Sequence, residues 1–330
     1  MDATRGGTRH LIVKAKGGLG NRMLSAVTGL VYAELAGRIP VIDWRDGVYA
    51  ARGTNAYPLL FDAPAQPDPA SFDAVHDVIP ATWAGRLGQD AARLIDTDQP
   101  HRHGSPTVYR DYCVPLDRID QPEAVAVFMS YLPKMPRLAR HLRRDPRFRN
   151  QSLSDIMQAT LARSFQPRAP VLAAVERAFA AIPGPVLGVH VRYTDLKVPL
   201  EKIARTVETQ MRKGDVTSLF LSTDSAAVQD RFREWFGAVH VTDKYLPGDG
   251  TQLHLHDQKP GTAHYEKTSE AQNALIDMWS LARCDRLIYS SQSTFAITAA
   301  LLGRMAPRQT RDVDRLSVPV RGKRFLQNYL

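Results

Sequence analysis

Segments of strand length alternate with amphipathic helical segments throughout the second half of this chain. The pattern predicts helices over 171–181, 201–213, 226–236, 269–282 and 294–302, and strands over 186–191, 218–222, 238–241 and 286–289. Because two parallel strands need a long crossover between them, this alternation requires a parallel sheet with helices on both faces. The second half is therefore predicted to be α/β, of the Rossmann type.

A shorter version of the same pattern opens the chain. Residues 10–16 read as a strand, 17–20 as a tight turn, 21–36 as a helix and 39–44 as a second strand. This order is that of a βαβ unit.

The middle of the chain is less regular. Residues 57–121 are rich in Pro, Asp and Ala and favour loops, a helical region follows over 138–161, and the Pro-containing stretch 166–170 is typical of a linker. A chain of 330 residues is long enough for two α/β domains. We therefore predict two lobes, over residues 1–168 and 169–330.

The composition is that of a globular protein. Hydrophobic residues make up 44% and charged residues 23% of the chain, and no run of about 18 apolar residues is present to span a bilayer. The first ten residues are polar and lack the apolar core of a secretory signal, so we expect the protein in the cytoplasm. The two cysteines, Cys113 and Cys284, are too few for a disulfide framework and are expected to be reduced.

The net charge of +9 favours acidic partners, such as nucleotide diphosphates, nucleic acid or an anionic membrane face. The densest basic run, 134–149, lacks interleaved aromatic residues, which argues against a nucleic-acid surface. A solvated helix face is the preferred interpretation of this run. An acceptor groove and a peripheral contact with the inner membrane are the alternatives.

The predicted strand over 186–191 changes from apolar to polar at its carboxyl end. His190 and Arg192 share one face there, while Val189 and Val191 face the other. Ligands bind at the carboxyl ends of parallel strands, and a guanidinium offers paired donors to a phosphate or a carboxylate. The sequence therefore predicts an anionic ligand beside Arg192.

Two further strands end in polar residues, Thr223-Asp224-Ser225 and the run 290–294. In a parallel sheet these ends share one edge, so we expect His190, Arg192, Asp195, Asp224 and residues 290–292 to line one cleft. The alternative for Asp224, Ser225, Ser293 and Thr294 is that they only cap helices.

Glycines join the first strand to the first helix in Gly17-Gly18-Leu19-Gly20-Asn21. Backbone N–H groups in such a turn approach a phosphate or a sugar closely. A dinucleotide fingerprint would need a third glycine where Met23 stands, although Asp43 follows at the end of the second strand, where a ribose-binding acid belongs. An NAD-dependent oxidoreductase and a purely structural tight turn are therefore alternatives.

We predict no metal site from this sequence. Asp96-Thr97-Asp98 and Asp312-Val313-Asp314 have the Asp-x-Asp form found in some metal-dependent sugar transferases, but their surroundings do not support a site. The histidines that come nearest to a ligand pattern, His254, His256 and His264, lack a fourth ligand at a telling spacing.

Six segments of the chain carry a joint resemblance: Gly17 to Met23, Ile42 to Arg45, His190-Val191-Arg192-Tyr193-Thr194-Asp195, Phe220 to Ser225, Ala274 to Met278 and Leu281 to Cys284. Together they resemble a known family, the GDP-fucose-dependent fucosyltransferases. The similarity is greatest to the rhizobial nodulation α1,6-fucosyltransferase and to the animal N-glycan core α1,6 enzyme. It covers about the first fifty residues and most of 185–303.

The resemblance implies an α/β fold of the GT-B type, two Rossmann-like lobes with a cleft between them. It implies that the C-terminal lobe binds the GDP-sugar, that the N-terminal lobe takes the acceptor, and that no metal cofactor is needed. It implies inverting transfer, in which Arg192 stabilises the charge on the leaving phosphate and Glu201 or Asp195 serves as general base. It further implies a set of residues at the donor GDP-fucose: Gly18, Gly20, Asn21, His190, Arg192, Asp224, Asp277, Ser290, Ser291 and Gln292.

The function predicted from the sequence is therefore transfer of fucose from GDP-fucose to a hydroxyl of an oligosaccharide or lipid-linked glycan in a bacterium. An α1,6 linkage to GlcNAc is preferred. An α1,2-fucosyltransferase of surface polysaccharide is the first alternative, because its glycine-rich opening is similar. An NAD-dependent oxidoreductase and a non-catalytic protein that binds GDP-sugar or glycan are alternatives of other classes.

Overall fold

The computed structural model describes residues 7–102, 107–193, 199–244, 246 and 266–329 of the chain. The chain divides into two compact units. The first unit comprises residues 1–58, 63–165 and 323–330, and the second comprises 59–62 and 166–322. The main division thus follows Phe165, whereas the sequence placed the boundary after residue 168.

A four-stranded parallel sheet forms the centre of the first unit. Its strands are β1 (His10–Lys14), β2 (Ile39–Asp43), β3 (Val78–Ile79) and β4 (Val125–Met129), in the order β2-β1-β4-β3. The strand β4 is buried along its whole length, as expected for a parallel strand covered on both faces. The predicted opening βαβ unit is confirmed by β1 and β2, which pair in parallel.

Up to Phe165, the described residues form the helices α1 (Leu19–Ala36), α2 (Tyr57–Leu60), α3 (Ala91–Asp98), α4 (Ala139–Arg144) and α5 (Leu153–Ser164). The helix α1 begins two residues earlier than predicted, so Gly20 and Asn21 lie in its first turn. The residue after its last turn is Gly37, which has a left-handed backbone conformation. Glycine is common at this position because it adopts that conformation without strain.

The irregular region between β2 and β4 is more ordered than its composition predicts. It contains β3, α3 and short 3₁₀ turns, and its buried side chains Trp83, Leu94 and Tyr112 pack with Ile12 and Val127 of the sheet. The indole nitrogen of Trp83 donates to the carbonyl of Tyr112 at 2.9 Å. A second core layer thus lies where the sequence predicted loops.

The single helical region predicted over 138–161 is wrong. The helix α4 ends at Arg144 because Asp145 precedes Pro146 and adopts an extended backbone, as residues before proline usually do. The helix α5 then starts from Ser152, whose hydroxyl accepts from the backbone of Asp155 while the Asp155 carboxylate accepts from the backbone of Ser152.

A second four-stranded parallel sheet forms the centre of the second unit. Its strands are β5 (Val186–Val191), β6 (Ser218–Thr223), β7 (Arg286–Tyr289) and β8 (Thr310–Asp312), in the order β6-β5-β7-β8. The strand predicted over 238–241 is wrong, because His240 makes only an isolated bridge to Phe220. The strand β8 lies in the arginine-rich tail, residues 304–324, where no strand was predicted.

After Phe165, the described residues form the helices α6 (Ala169–Ala180), α7 (Leu200–Arg212), α8 (Ala226–Phe236), α9 (Lys267–Arg283), α10 (Thr294–Leu302) and α11 (Val318–Tyr329). On α7, the residues Leu200, Ile203 and Val207 recur at helical spacing and are buried. Among the residues that the structure describes, no helix combines the length and the apolar character needed to cross a membrane.

The helix α9 packs closely on the centre of β5. A Cβ atom added at Gly188 would lie 2.8 Å from the Sγ atom of Cys284 and 3.3 Å from a methyl group of Leu281. A distance of 2.8 Å is well inside van der Waals contact, so only glycine allows this approach. Gly188 therefore sets how near α9 lies to the strand that carries His190.

We expect Gly188→Ala to lower the free energy of unfolding by about 1–3 kcal/mol, because the new methyl group overpacks this contact. In a Cys284→Ala background the penalty should be smaller, since the nearest atom is gone. Urea denaturation of the four proteins measures both effects. Gly322→Ala in α11 is the control, because its Cβ would meet no atom within 4 Å. Equal penalties at the two glycines would contradict this account of the packing.

Candidate active site

The carboxyl ends of β5, β6 and β7 meet at one edge of the second sheet. His190 pairs with Ser222 in the register of β5 and β6, and β7 runs parallel on the other side of β5. The backbone N–H of Tyr193 donates to Oδ1 of Asp224 at 2.7 Å, which ties the segment after β5 to the segment after β6. The polar strand ends thus converge in the second unit.

His190 is buried at this edge, with 8% of its surface exposed. Its ring stacks on Phe295 of α10, with 5.2 Å between the ring centroids. Burial, together with the positive charge of Arg192, lowers the pKa of His190 to about 3. The imidazole is therefore neutral near pH 7, and within the described ranges its Nδ1 atom has no hydrogen-bond partner.

Asp277 on α9 is almost fully buried, with 2% of its surface exposed. Its carboxylate accepts from the Ser222 hydroxyl at 2.7 Å, from the Thr242 hydroxyl and from the Lys244 ammonium group. These bonds join β6, the segment 242–244 and α9. Lys244 and Thr242 were missed by the sequence analysis, because nothing in their local pattern indicates a partner on a later helix.

Residues 290–292 form a compact turn between β7 and α10. The Ser290 hydroxyl accepts from the backbone N–H of Gln292 at 3.2 Å, and the carbonyl of Ser290 accepts from the N–H of Ser293 at 2.9 Å. Ser293 caps α10 by accepting from the N–H of Ala296, so its predicted role as a cap is confirmed. The turn therefore leads directly into the amino end of a helix.

The helix-cap alternative for Asp224 is wrong. The cap residue of α8 is Ser225, and its side chain makes no capping bond. Asp224 instead accepts from the Tyr193 backbone across the sheet edge. Its carboxylate thus supports the strand ends and not the helix that follows it.

The sequence predicts that Arg192, Glu201 and Asp195 act in catalysis, and the first two differ in their position and exposure. Arg192 directly follows β5, is half-buried, and acts electrostatically on His190. Glu201 lies exposed in the first turn of α7. Asp195 lies outside the described residues.

The glycine-rich turn belongs to the first unit, at the carboxyl end of β1. Gly17 has a φ of +76°, and a Cβ atom there would lie 2.7 Å from the ring of Tyr131. Gly18 is the N-cap residue of α1, so the turn passes straight into the helix. Gly20 and Asn21 are buried in the first turn of that helix.

Arg22 holds this turn in place and was missed by the sequence analysis. Its Nε atom donates to the carbonyl of Gly17 at 2.6 Å, and its two terminal nitrogens donate to Asp46 at 3.2 and 2.6 Å. The guanidinium also lies over the rings of Trp44 and Tyr49. The available signal was an arginine within an otherwise apolar helical stretch. The sequence alone does not indicate which carboxylate this arginine pairs with.

Asp43 does not fit the ribose-binding role of the dinucleotide alternative. Its carboxylate accepts from Lys14 at 2.6 Å and from two nitrogens of Arg45 at 2.9 and 3.0 Å. Burial opposes ionisation, but these two cations outweigh it and lower the pKa of Asp43. The buried carboxylate is thus used within the protein, which disfavours an NAD-dependent oxidoreductase.

Within the described ranges, no group of three His, Cys, Asp or Glu residues is placed to hold a metal ion. Asp98 at the end of α3 pairs with Arg86 at 2.8 Å. Asp312 and Asp314 bond to the turn 290–292. His254, His256 and His264 lie outside the described residues.

Comparison with known proteins relates the chain to nodulation protein Z (NodZ). The family model for NodZ matches residues 158–318. Nodulation protein Z of Azorhizobium caulinodans is 26% identical over 325 aligned residues, which cover 89% of each chain.

Solved structures show the same relation at the level of the fold. A crystal structure of the α1,6-fucosyltransferase NodZ soaked with GDP-fucose has 21% identity and a TM-score of 0.59, covering 89% of this chain and 93% of that one. Fucosyltransferase NodZ from Bradyrhizobium has 20% identity and a TM-score of 0.59, covering 90% and 94%. A mutant of Arabidopsis thaliana FUT1 in complex with GDP has 15% identity and a TM-score of 0.53, covering 91% and 70%.

These comparisons confirm the resemblance to fucosyltransferases, and to NodZ in particular, that the sequence motifs indicated. They also confirm the predicted fold class, since the chain shares the α/β GT-B fold of the NodZ crystal structures.

The depressed pKa of His190 predicts an acid-sensitive fold. In the unfolded chain His190 becomes protonated below about pH 6.5. In the folded protein it stays neutral down to about pH 3. Stability should therefore fall as pH is lowered through this window, by up to about 1.4 kcal/mol per pH unit from this residue. His190→Gln should remove that part of the slope.

The measurement is urea denaturation at several values between pH 4 and pH 7. His101→Gln is the control, because His101 is exposed. If His190→Gln and wild type lose stability with the same slope, His190 is not excluded from protonation in the folded state.

Proposed function

We propose that this protein is a glycosyltransferase that moves fucose from GDP-fucose to a hydroxyl group of a glycan acceptor. The observation that carries the proposal is the sheet edge of the second unit, where His190, Arg192, Asp224 and the turn 290–292 converge. The edge belongs to a chain similar to NodZ, which was crystallised with GDP and soaked with GDP-fucose.

Negative charge grows on the β-phosphate as the bond between the fucose anomeric carbon and the GDP oxygen breaks. Arg192 follows directly after β5, whose register is held by β6 and β7, so its backbone is already in place before substrate binds. A preorganised guanidinium at such a phosphate lowers the barrier by several kcal/mol when water is excluded. The proposal therefore needs no metal ion to neutralise the leaving group.

The acceptor oxygen attacks the anomeric carbon on the face opposite GDP, which inverts the configuration there. Its proton passes to a general base while the electron pair of the broken bond leaves with GDP. Glu201 is the described carboxylate that we propose for this role, because it lies in the first turn of the helix after β5. Asp195 is the second candidate.

In the donor-free protein His190 carries no positive charge near neutral pH, because burial and the charge of Arg192 lower its pKa to about 3. We propose that it acts as a neutral hydrogen-bonding group toward the donor, next to the charge of Arg192. Asp224 and Asp277 are proposed to lie toward the guanosine. In the donor-free protein both carboxylates already bond to protein groups, so they contribute mainly by shaping that region.

An α1,6 linkage to GlcNAc is the preferred transfer, by analogy with NodZ, and the first unit is proposed to take the acceptor. The α1,2 linkage remains the alternative within the same class. The oxidoreductase alternative is disfavoured by the internal use of Asp43. A non-catalytic GDP-sugar-binding protein would share the donor site but would not turn over.

Calorimetric titration with GDP in EDTA tests the donor site. We expect GDP to bind with micromolar affinity, whereas UDP and NAD bind at least about tenfold more weakly. Adding Mg²⁺ or Mn²⁺ should leave the affinity for GDP unchanged. Binding of NAD without binding of GDP would reject the proposed function.

Substitution of Arg192 tests the mechanism. Arg192→Ala should lower kcat for fucosyl transfer by at least about 100-fold, equivalent to about 2.7 kcal/mol, while Arg192→Lys should lose less because a cation remains. Steady-state kinetics with GDP-fucose and GlcNAc-ended oligosaccharides gives kcat and KM separately. Arg177→Ala is the control, since Arg177 is exposed on α6. Normal turnover by Arg192→Ala would refute the role assigned to this guanidinium.

A further inference from the structure

The triplet Asp312-Val313-Asp314 begins at the last residue of the edge strand β8 and has the spacing of a metal-binding pair. In the structure both carboxylates bond to the turn between β7 and α10. Oδ1 of Asp312 accepts from the backbone N–H of Ser291 at 3.0 Å. Asp314 accepts from the Ser290 hydroxyl and, through Oδ2, from the side-chain amide of Gln292 at 3.3 Å.

The triplet is itself held from two sides. The backbone N–H of Val313 donates to the carbonyl of Tyr289 at 2.9 Å, and the carbonyl of Val313 accepts from the ammonium group of Lys202 on α7. The side chain of Val313 is buried in the core of the second unit. Oδ1 of Asp312 also accepts from the backbone N–H of Asp314 at 2.9 Å, which fixes the Asp312 carboxylate relative to the backbone of Asp314.

These bonds determine which way the Ser290 hydroxyl points. A hydroxyl has one proton, and here it is donated to Asp314. The oxygen then accepts from the N–H of Gln292, so the turn closes on itself immediately before α10. Bonds to an ionised carboxylate are stronger than bonds between neutral groups, so the turn keeps this shape without a ligand.

We propose that Asp312 and Asp314 are positioning residues that hold the turn 290–292 in the shape that receives the diphosphate of the donor. The Asp-x-Asp triplet thus acts as a hydrogen-bond clamp and not as a metal site. This inference rests on the proposed function, because it assigns the donor to the same turn. Preorganisation of the turn means that binding energy is not spent on ordering it.

Titration with GDP and steady-state kinetics with GDP-fucose test the clamp in wild type, Asp314→Ala and Asp314→Asn. We expect Asp314→Ala to weaken GDP binding and to raise KM for GDP-fucose by about 10- to 100-fold, with a smaller loss in kcat. Asp314→Asn should recover part of the affinity, because its amide oxygen still accepts from Ser290. A purely structural role would lower the melting temperature without this change in KM or this rescue.

Asp215→Ala is the matched control. Asp215 pairs with Arg286 at 2.6 Å, where β7 begins, at the opposite edge of the same sheet. It should therefore affect stability but not the affinity for GDP. Should Asp314→Ala fail to fold, Asp312→Ala removes the other part of the clamp, the bond from the Ser291 N–H, and should weaken GDP binding in the same direction.

The outcomes separate the clamp from the proposed function. Equal affinity for GDP in wild type and in folded Asp314→Ala and Asp312→Ala would overturn the clamp alone. Wild-type protein that does not bind GDP would overturn the proposed function and the clamp with it. Wild-type binding that requires Mg²⁺ or Mn²⁺, with the requirement abolished in Asp314→Ala, would overturn the clamp in favour of a metal site.

Discussion

The parallel pairing of β5 with β6 on one side and β7 on the other is the constraint on which the candidate site depends. Parallel strands present their carboxyl ends to the same edge, so polar residues that are distant in the chain reach one place. The register is held by the apolar side chains of β5, all six residues of which are buried. A slip by one residue would take Val189 and Val191 out of the core and turn His190 away from Phe295.

Carboxylates at the edges of the two sheets bond mainly to the protein itself. Asp277 joins Ser222, Thr242 and Lys244, Asp314 holds the turn before α10, and Asp43 pairs with two cations in the first unit. Removing a carboxylate from water costs several kcal/mol unless such bonds replace its hydration. These acids therefore give the backbone around them a defined shape. The chemistry proposed for the second unit then requires a cation near the leaving phosphate, the role proposed for Arg192, and a base for the acceptor proton.

Much of the second unit could be predicted from the sequence, because its pattern is local and repetitive. The bounds of β5, β7, α8 and α10 agree with the prediction residue for residue, since each is an apolar or amphipathic run with a clear end. The prediction failed where a local pattern was ambiguous. Residues 238–241 alternate like a strand but make one bridge, Pro146 divides a region that reads as helical, and β8 lies in a tail dominated by arginine.

The sequence by itself determined the fold class, the alternation of strands and helices in most of the second unit, and the polar character of the strand ends, because these follow from periodicity and from residue type. Only the tertiary structure decided which partners these polar residues take. Lys244 meets Asp277, Asp314 meets Ser290, and Arg22 meets Asp46 because packing brings separate segments together. The physical reason is that the charge of a side chain follows from its residue type, whereas its desolvation and its hydrogen-bond partners depend on neighbours that are distant along the chain.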